Sequence, residues 1–151
     1  MECLIRGAMQ EDAAAISQVI VAALRGSNAR DYSAEIIEAV EKGFSPGAVV
    51  RLIEVRQVFV AVVGGCVVGT AGLDGDTVRS VFVEPGYQGG GIGRLLMERV
   101  EVVAVRGGVG WLRVPSSVTA EEFYSTLGFT KIRDEFYGSE RTIIMGKRID
   151  R

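Results

Sequence analysis

Five of the eight residues from Gly86 to Gly93 are glycine: Gly86, Gly89, Gly90, Gly91 and Gly93. They lie between the apolar run Val81-Phe82-Val83 and a helical pattern that begins near Ile92. The start of a helix presents backbone N–H groups with no intrahelical partner, together with the positive end of the macrodipole. A turn stripped of side chains lets an anionic group approach those donors, as in phosphate sites at helix starts. Spacing excludes two familiar phosphate readers. A P-loop needs Gly-x-x-x-x-Gly-Lys-Ser/Thr, whereas Gly86 and Gly91 are followed by Ile92-Gly93. The dinucleotide fingerprint Gly-x-Gly-x-x-Gly fails as well, because Gly89-x-Gly91 leads to Arg94 and Gly91-x-Gly93 to Leu96.

The chain contains no histidine. That excludes Ser-His-Asp and Cys-His nucleophilic sites, His-ligated zinc and His proton relays. A general base must come from a carboxylate, Tyr, Lys, Cys or an ordered water. The 17 Lys+Arg and 19 Asp+Glu leave a net charge of −2 and are scattered, so no nucleic-acid footprint is present. Apolar runs such as Val58 to Val63 are far shorter than a membrane span. The start Met1-Glu2-Cys3-Leu4-Ile5-Arg6 does not read as a signal peptide, so a cytoplasmic protein is expected. In that setting Cys3 and Cys66 are expected to be reduced structural thiols. The 151 residues are expected to form one domain, 1–151, large enough to fold without disulfides or metal.

The elements around the glycines follow from periodicity. A strand is expected over residues 2–6, then a helix over 12–25 with Ile16, Val19, Ile20, Ala23 and Leu24 on one face. Ser33 opens a second helix to about Lys42, and Ser45-Pro46 caps a third to about Val55. Val-rich runs 57–63 and 66–72, split by Gly64-Gly65, predict a hairpin, and a third strand spans 77–83. After the Gly-rich turn comes a helix with Ile92, Leu95, Leu96, Val100 and Val103 on its buried side, then a strand over 109–114. Thr119 to Glu122 has the form of a capping box, and Gly128 is placed to end the helix it opens. Closing strands over 129–137 and 141–149 turn at Gly138-Ser139. The order predicts an α/β fold: a mixed sheet with antiparallel ends and helices on both faces.

The segment Gln88-Gly-Gly-Gly91-Ile-Gly93, behind Val81-Phe82-Val83 and Glu84-Pro85, closely resembles the acyl-CoA-binding motif of the GNAT superfamily of N-acetyltransferases. Ala120-x-x-Phe123-Tyr124-x-x-Leu127-Gly128-Phe129 resembles that family's later helix-plus-strand motif, and the two stand in the right order and separation. The resemblance in element order covers nearly the whole chain. It implies a mostly antiparallel sheet of six to seven strands, acetyl-CoA as cosubstrate, no metal, and direct acetyl transfer to a primary amine in a ternary complex. It assigns the pyrophosphate to Gln88 and to the backbone N–H groups of Gly89, Gly90, Gly91, Ile92, Gly93 and Arg94. The pantetheine arm falls to the exposed backbone of Val81, Phe82 and Val83, beside which the sheet is expected to splay.

Tyr124 matches the family's usual general acid, and a phenol is close enough in acidity to an alkyl thiol to protonate a departing thiolate. Seven residues earlier, Ser117 replaces an Asn that contacts the cofactor in many members; shorter, it reaches the arm directly or through water. Some relatives carry a catalytic Glu where this chain has Thr77, which cannot act as a base. Asp74 and Asp76 read as turn formers, so deprotonation through ordered water is expected. The acceptor, a small-molecule or peptide amine, is expected to enter past Asn28, Arg30, Asp31 and Tyr32 and past the turn from Gly138 to Arg141. Asp31, Glu35, Asp134, Glu135 and Glu140 are acidic groups there, and Trp111 reads as a sheet-packing residue. Neither cysteine sits where an acyl-enzyme would form. The missing Glu and the Ser117 substitution keep one alternative open, a non-catalytic acyl-CoA-binding sensor on the same scaffold. Homodimers are common in that family, and the sequence is silent on them.

Overall fold

The computed structural model describes residues 2–150. Its seven strands are β1 (Cys3–Gly7), β2 (Gln57–Val63), β3 (Cys66–Asp74), β4 (Thr77–Val83), β5 (Trp111–Ser117), β6 (Thr130–Tyr137) and β7 (Glu140–Arg148). Five helices accompany them: α1 (Ala13–Gly26), α2 (Ala34–Glu41), α3 (Pro46–Val55), α4 (Ile92–Arg106) and α5 (Glu121–Thr126). The strands form one sheet in the order β1-β2-β3-β4-β5-β7-β6, antiparallel except at β4–β5. The seven-strand, mostly antiparallel α/β architecture is the one expected from the sequence.

Alternate residues of β2 serve two cores. Phe59, Ala61 and Val63 pack toward α4 and α5, while Val58, Val60 and Val62 pack toward α1, α2 and α3. With both faces covered, the central strands carry unbroken apolar runs instead of a polar alternation. On α4 the buried stripe is Ile92, Leu96, Met97, Val100 and Ala104. Leu95, expected inside, is 38% exposed, because the stripe steps one residue further round the helix. Each large side chain in that stripe contributes about 1.5–3 kcal/mol of burial, so the start of α4 is held firmly against the sheet.

Capping follows the sequence at two helices. Ser33 Oγ accepts from Ile36 N and Ser45 Oγ from Ala48 N, and Pro46 occupies the first helical turn. The expected capping box at Thr119 does not form. Thr119 Oγ1 donates instead to Asp31 (2.8 Å), and α5 starts without a side-chain cap. Strand β5 begins at Trp111, two residues later than expected, and runs on to Ser117 by pairing with β7. Trp111 lies across Gly146 of β7, where a Cβ would collide with the indole.

The β1 end is tied to α1 by a two-pronged ion pair, Arg6 Nη1 and Nη2 to the Asp12 carboxylate (2.8 and 3.0 Å). Met9 N also donates to Asp12 Oδ2 (2.7 Å). The guanidinium holds the Asp12 carboxyl below its usual range. A depressed carboxyl contributes stability that is present above its unfolded value, near 3.9, and is lost as pH falls through the folded one. Asp12→Asn is therefore expected to cost about 1–2 kcal/mol at neutral pH. In urea melts the gap from wild type should close as pH is lowered from 7 toward 3; a gap independent of pH would contradict the ion pair's role.

Candidate active site

Two backbone irregularities build the site. The first is a bulge in β4. Thr70 pairs with Phe82 and Gly72 with Arg79, so β4 carries one more residue than β3 over that stretch. Ser80 takes up the difference at φ +56°, the single non-glycine at positive φ among the described residues. Gly72 makes room, since a Cβ there would sit 3.0 Å from the Arg79 carbonyl oxygen. The second irregularity is the β4–β5 junction. These parallel strands share a single registered pair, Thr77 with Arg113, and then part. Beyond it the β5-facing edge of β4, including Val81, Phe82 and Val83, has no strand partner among the described residues.

The splay opens a cleft of about 790 Å³. The Gly-rich turn forms one end of it. Gly89 (φ +81°) and Gly91 (φ +86°) are left-handed, Gly91 stands at the N-cap of α4, and a Cβ on either would point into open space. Among the described residues, none of the six consecutive N–H groups from Gly89 to Arg94 donates to a protein acceptor; the helix's bonding begins at Leu95 N to Gly91 O. Gly93 serves packing, because a Cβ there would lie 3.0 Å from the Phe123 ring. Gln88 braces the turn: its Nε2 donates to the Val83 carbonyl (3.0 Å) and to Ser27 Oγ at the end of α1 (2.9 Å).

Tyr124, on α5, lines the same cleft and is 4% exposed. Edge-to-face contacts with Phe123 (5.1 Å) and Phe129 (5.5 Å) fix its ring. Its hydroxyl has no hydrogen-bond partner among the described residues, and burial pushes the phenol above its ordinary value near 10. Ser117 reaches the same cleft, where its Oγ accepts from Ala120 N (3.2 Å) and keeps its proton free to donate. The cleft thus brings together Val81 to Val83, Gln88, Gly89, Gly91 to Arg94, Ser117 and Tyr124. Gly90 lies between two of them in the turn. Asp74, Asp76 and Thr77 lie at the far end of β4 and do not line the cleft; Thr77 Oγ1 donates to Asp76 (2.8 Å).

The remaining wall comes from α2, from the turns flanking it and from the β6–β7 turn. Tyr32 joins these pieces, its hydroxyl donating to the Arg141 carbonyl (2.9 Å) and accepting from Val118 N (2.6 Å). Its phenol is raised, chiefly by burial and further by Glu140 and Asp31. Of the five acidic residues expected near the acceptor, only Glu140 lines the cleft. Asp31 is bonded to Thr119, Asp134 to Lys131 and Arg141, and Glu135 to Arg133 and Tyr137. Arg56, Arg79 and Ser80 line the cleft without having been anticipated. No local motif marks them, because the bulge and the packing of α3 bring together positions distant in sequence.

A splayed sheet edge, a glycine-built helix start with unpaired amides and a buried phenol thus share one cleft. The match to a family model, acetyltransferase (GNAT) domain, spans residues 28–144, and the chain belongs to that family. A GCN5-related N-acetyltransferase from Rhodopseudomonas palustris is 26% identical, superposes with a TM-score of 0.93, and the match covers 98% of this chain and 96% of that one. PaiA N-acetyltransferase from Thermoplasma acidophilum, solved in complex with coenzyme A, is 20% identical with a TM-score of 0.83, over 98% and 99% of the two chains. The yncA protein from Salmonella typhimurium, solved with its cofactor acetyl-CoA, is 24% identical with a TM-score of 0.69, over 100% and 96%. Among the described residues, no helix is long and apolar enough to cross a membrane.

Proposed function

We propose that this protein is an acetyl-CoA-dependent N-acetyltransferase, residues 1–151 acting as one domain, which passes the acetyl group directly to a primary amine in a ternary complex. One juxtaposition carries the reading: six unpaired helix-start amides, an unpartnered strand edge and a buried, unbonded phenol share one cleft. Acetyl-CoA, when bound, supplies an activated thioester and a thiol leaving group. The amides from Gly89 to Arg94 hold its diphosphate, aided by the α4 dipole. Gln88 acts through the turn it braces. The free edge at Val81, Phe82 and Val83 offers main-chain donors and acceptors to the amide-bearing arm, in the manner of an added strand. An N–H of that edge also polarises the reacting carbonyl as negative charge grows on it. Ser117 donates its hydroxyl proton to the arm, directly or through water.

Tyr124 gives its Oη proton to the departing sulfur. Burial raises the phenol and so weakens it as an acid; the transfer is driven by the negative charge developing on the sulfur, and the phenolate regains its proton from water. The amine loses its proton to ordered water, since the lining offers no carboxylate beyond Glu140. Cys3 and Cys66 stay outside the cleft, so transfer needs no acyl-enzyme. Tyr32 holds the acceptor-side wall. Tyr32→Phe removes its bonds to Arg141 and Val118 and is expected to raise the amine KM about fivefold to tenfold with kcat little changed. An unaltered KM would remove Tyr32 from the acceptor site.

The test is an amine panel read by release of free CoA thiol. Saturable release with at least one amine is expected. Tight CoA binding with no release from any amine would favour the sensor reading instead.

A further inference from the structure

The end of the cleft away from the glycines has a charge pattern that thioester binding does not use. Arg56, at the end of α3, and Arg79, on β4, line it together with Ser80. Neither arginine has a carboxylate within 4.0 Å among the described residues, as is also true of Arg30, Arg51, Arg94, Arg99, Arg106 and Arg113; of these only Arg94 also lines the cleft, at its glycine end. Arg56 is half-buried, and its one side-chain hydrogen bond is a long 3.4 Å contact from Nη1 to Ser80 Oγ. Its guanidinium is depressed from its usual value by burial and by the Arg79 charge, against a smaller opposing pull from the Asp74 carboxylate. A partly desolvated guanidinium with five donors, one weak bond and a like charge next to it is poorly satisfied. Ser80, the third member, is the non-glycine residue held at positive φ, a conformation uncommon for serine that collects at functional positions. The lining also carries the apolar Ile36, Val40 and Phe44, and Glu140 of β7 is its lone carboxylate among the described residues.

We propose, resting on the N-acetyltransferase reading, that the acceptor is a primary amine that also carries an oxyanion, held by Arg56, Arg79 and the Ser80 hydroxyl, on a short apolar body. Planar guanidinium forks match carboxylate and phosphate oxygens alike, and such bonds are about twice as strong as neutral ones. Glu140 complements the ammonium before it loses its proton. A polycation, with no negative group to offer, would meet two unpaired arginines.

Two arms test this. In the first, L-leucine and L-phenylalanine are compared as acceptors with their carboxamides, and aminoethylphosphonate is added to separate phosphate-like from carboxylate chemistry. The oxyanion-bearing amines are expected to exceed the amides in kcat/KM by about 10²-fold. Arg79→Gln, at an exposed position that puts folding at little risk, should bring the acid-to-amide ratio near one, mainly through KM. Arg56→Lys should keep part of the preference. In the second arm, leucine and leucinamide are titrated calorimetrically into the protein with CoA present, a readout that needs no turnover. Stronger binding of leucine with no release from any amine would sink the transferase reading and leave the anion site standing. Equal turnover and equal binding of acids and amides would overturn the anion site and leave the transferase reading intact.

Discussion

Gly91→Glu is expected to abolish coenzyme A binding, raising Kd by about 10³-fold or more, while the protein still folds. Gly91 is the N-cap of α4 at φ +86°, and a Cβ there meets nothing within 4 Å. The new side chain therefore extends into the space beside six unpaired amides, where its carboxylate competes for the donors that a diphosphate would use. Charge-assisted bonds of this kind contribute about 1.5–3 kcal/mol each, so losing two or three accounts for the fold-change. Left-handed backbone adds a penalty of roughly 1–2 kcal/mol for a residue with a Cβ. Gly91→Asn separates the two effects, because asparagine tolerates that conformation and brings no charge. Calorimetric titration with CoA should rank wild type above Gly91→Asn and place Gly91→Glu beyond detection. Wild-type affinity in Gly91→Glu would mean that the diphosphate is held elsewhere, and the proposed activity would fall with it.

Tyr124→Phe is expected to lower kcat by about 10²–10⁴-fold, with CoA affinity nearly unchanged. The substitution keeps the ring and its edge-to-face contacts with Phe123 and Phe129, and removes an oxygen that bonds to nothing among the described residues. Stability should therefore hold, which makes the rate a clean readout. The pH dependence has a definite sign. Burial raises the phenol above 10, so the proton to be donated remains in place as pH climbs through the ordinary tyrosine range. No descending limb in the pH–rate profile below about pH 9 should trace to this residue. Unchanged turnover in Tyr124→Phe would take it out of the mechanism.

What was legible in the sequence followed from local chemistry. Ser45-Pro46, Gly64-Gly65 and Gly128 each impose a backbone state that neighbours cannot override, and all three stand where expected. Val-rich runs marked β2, β3 and β4 because buried strands need apolar residues on both faces. The Gly-rich turn and the Tyr124 helix were visible as motifs, and they do face one cleft. Non-local events were not legible. Thr119 has the residue type and spacing of a cap, yet Asp31, 88 positions away, captures its hydroxyl. Of the five acidic residues on the acceptor side, Asp134 and Glu135 are spent on nearby cations, which a count of charges does not reveal. Ser80's conformation arises from a mismatch in strand register, and no single residue announces it. Arg56 reaches Ser80 only because α3 ends close to that bulge.

The single registered pair between β4 and β5 has a consequence for the protein's lifetime. The sheet is two leaves sharing one short seam, and a cosubstrate lying along the open edge would clasp them. Mass action then converts supply into durability: at a ligand level about 100 times Kd, the folded form gains about 2.7 kcal/mol. A cell rich in the thioester would thus hold this chain closed against proteases, and starvation would shorten its survival before any change in its synthesis.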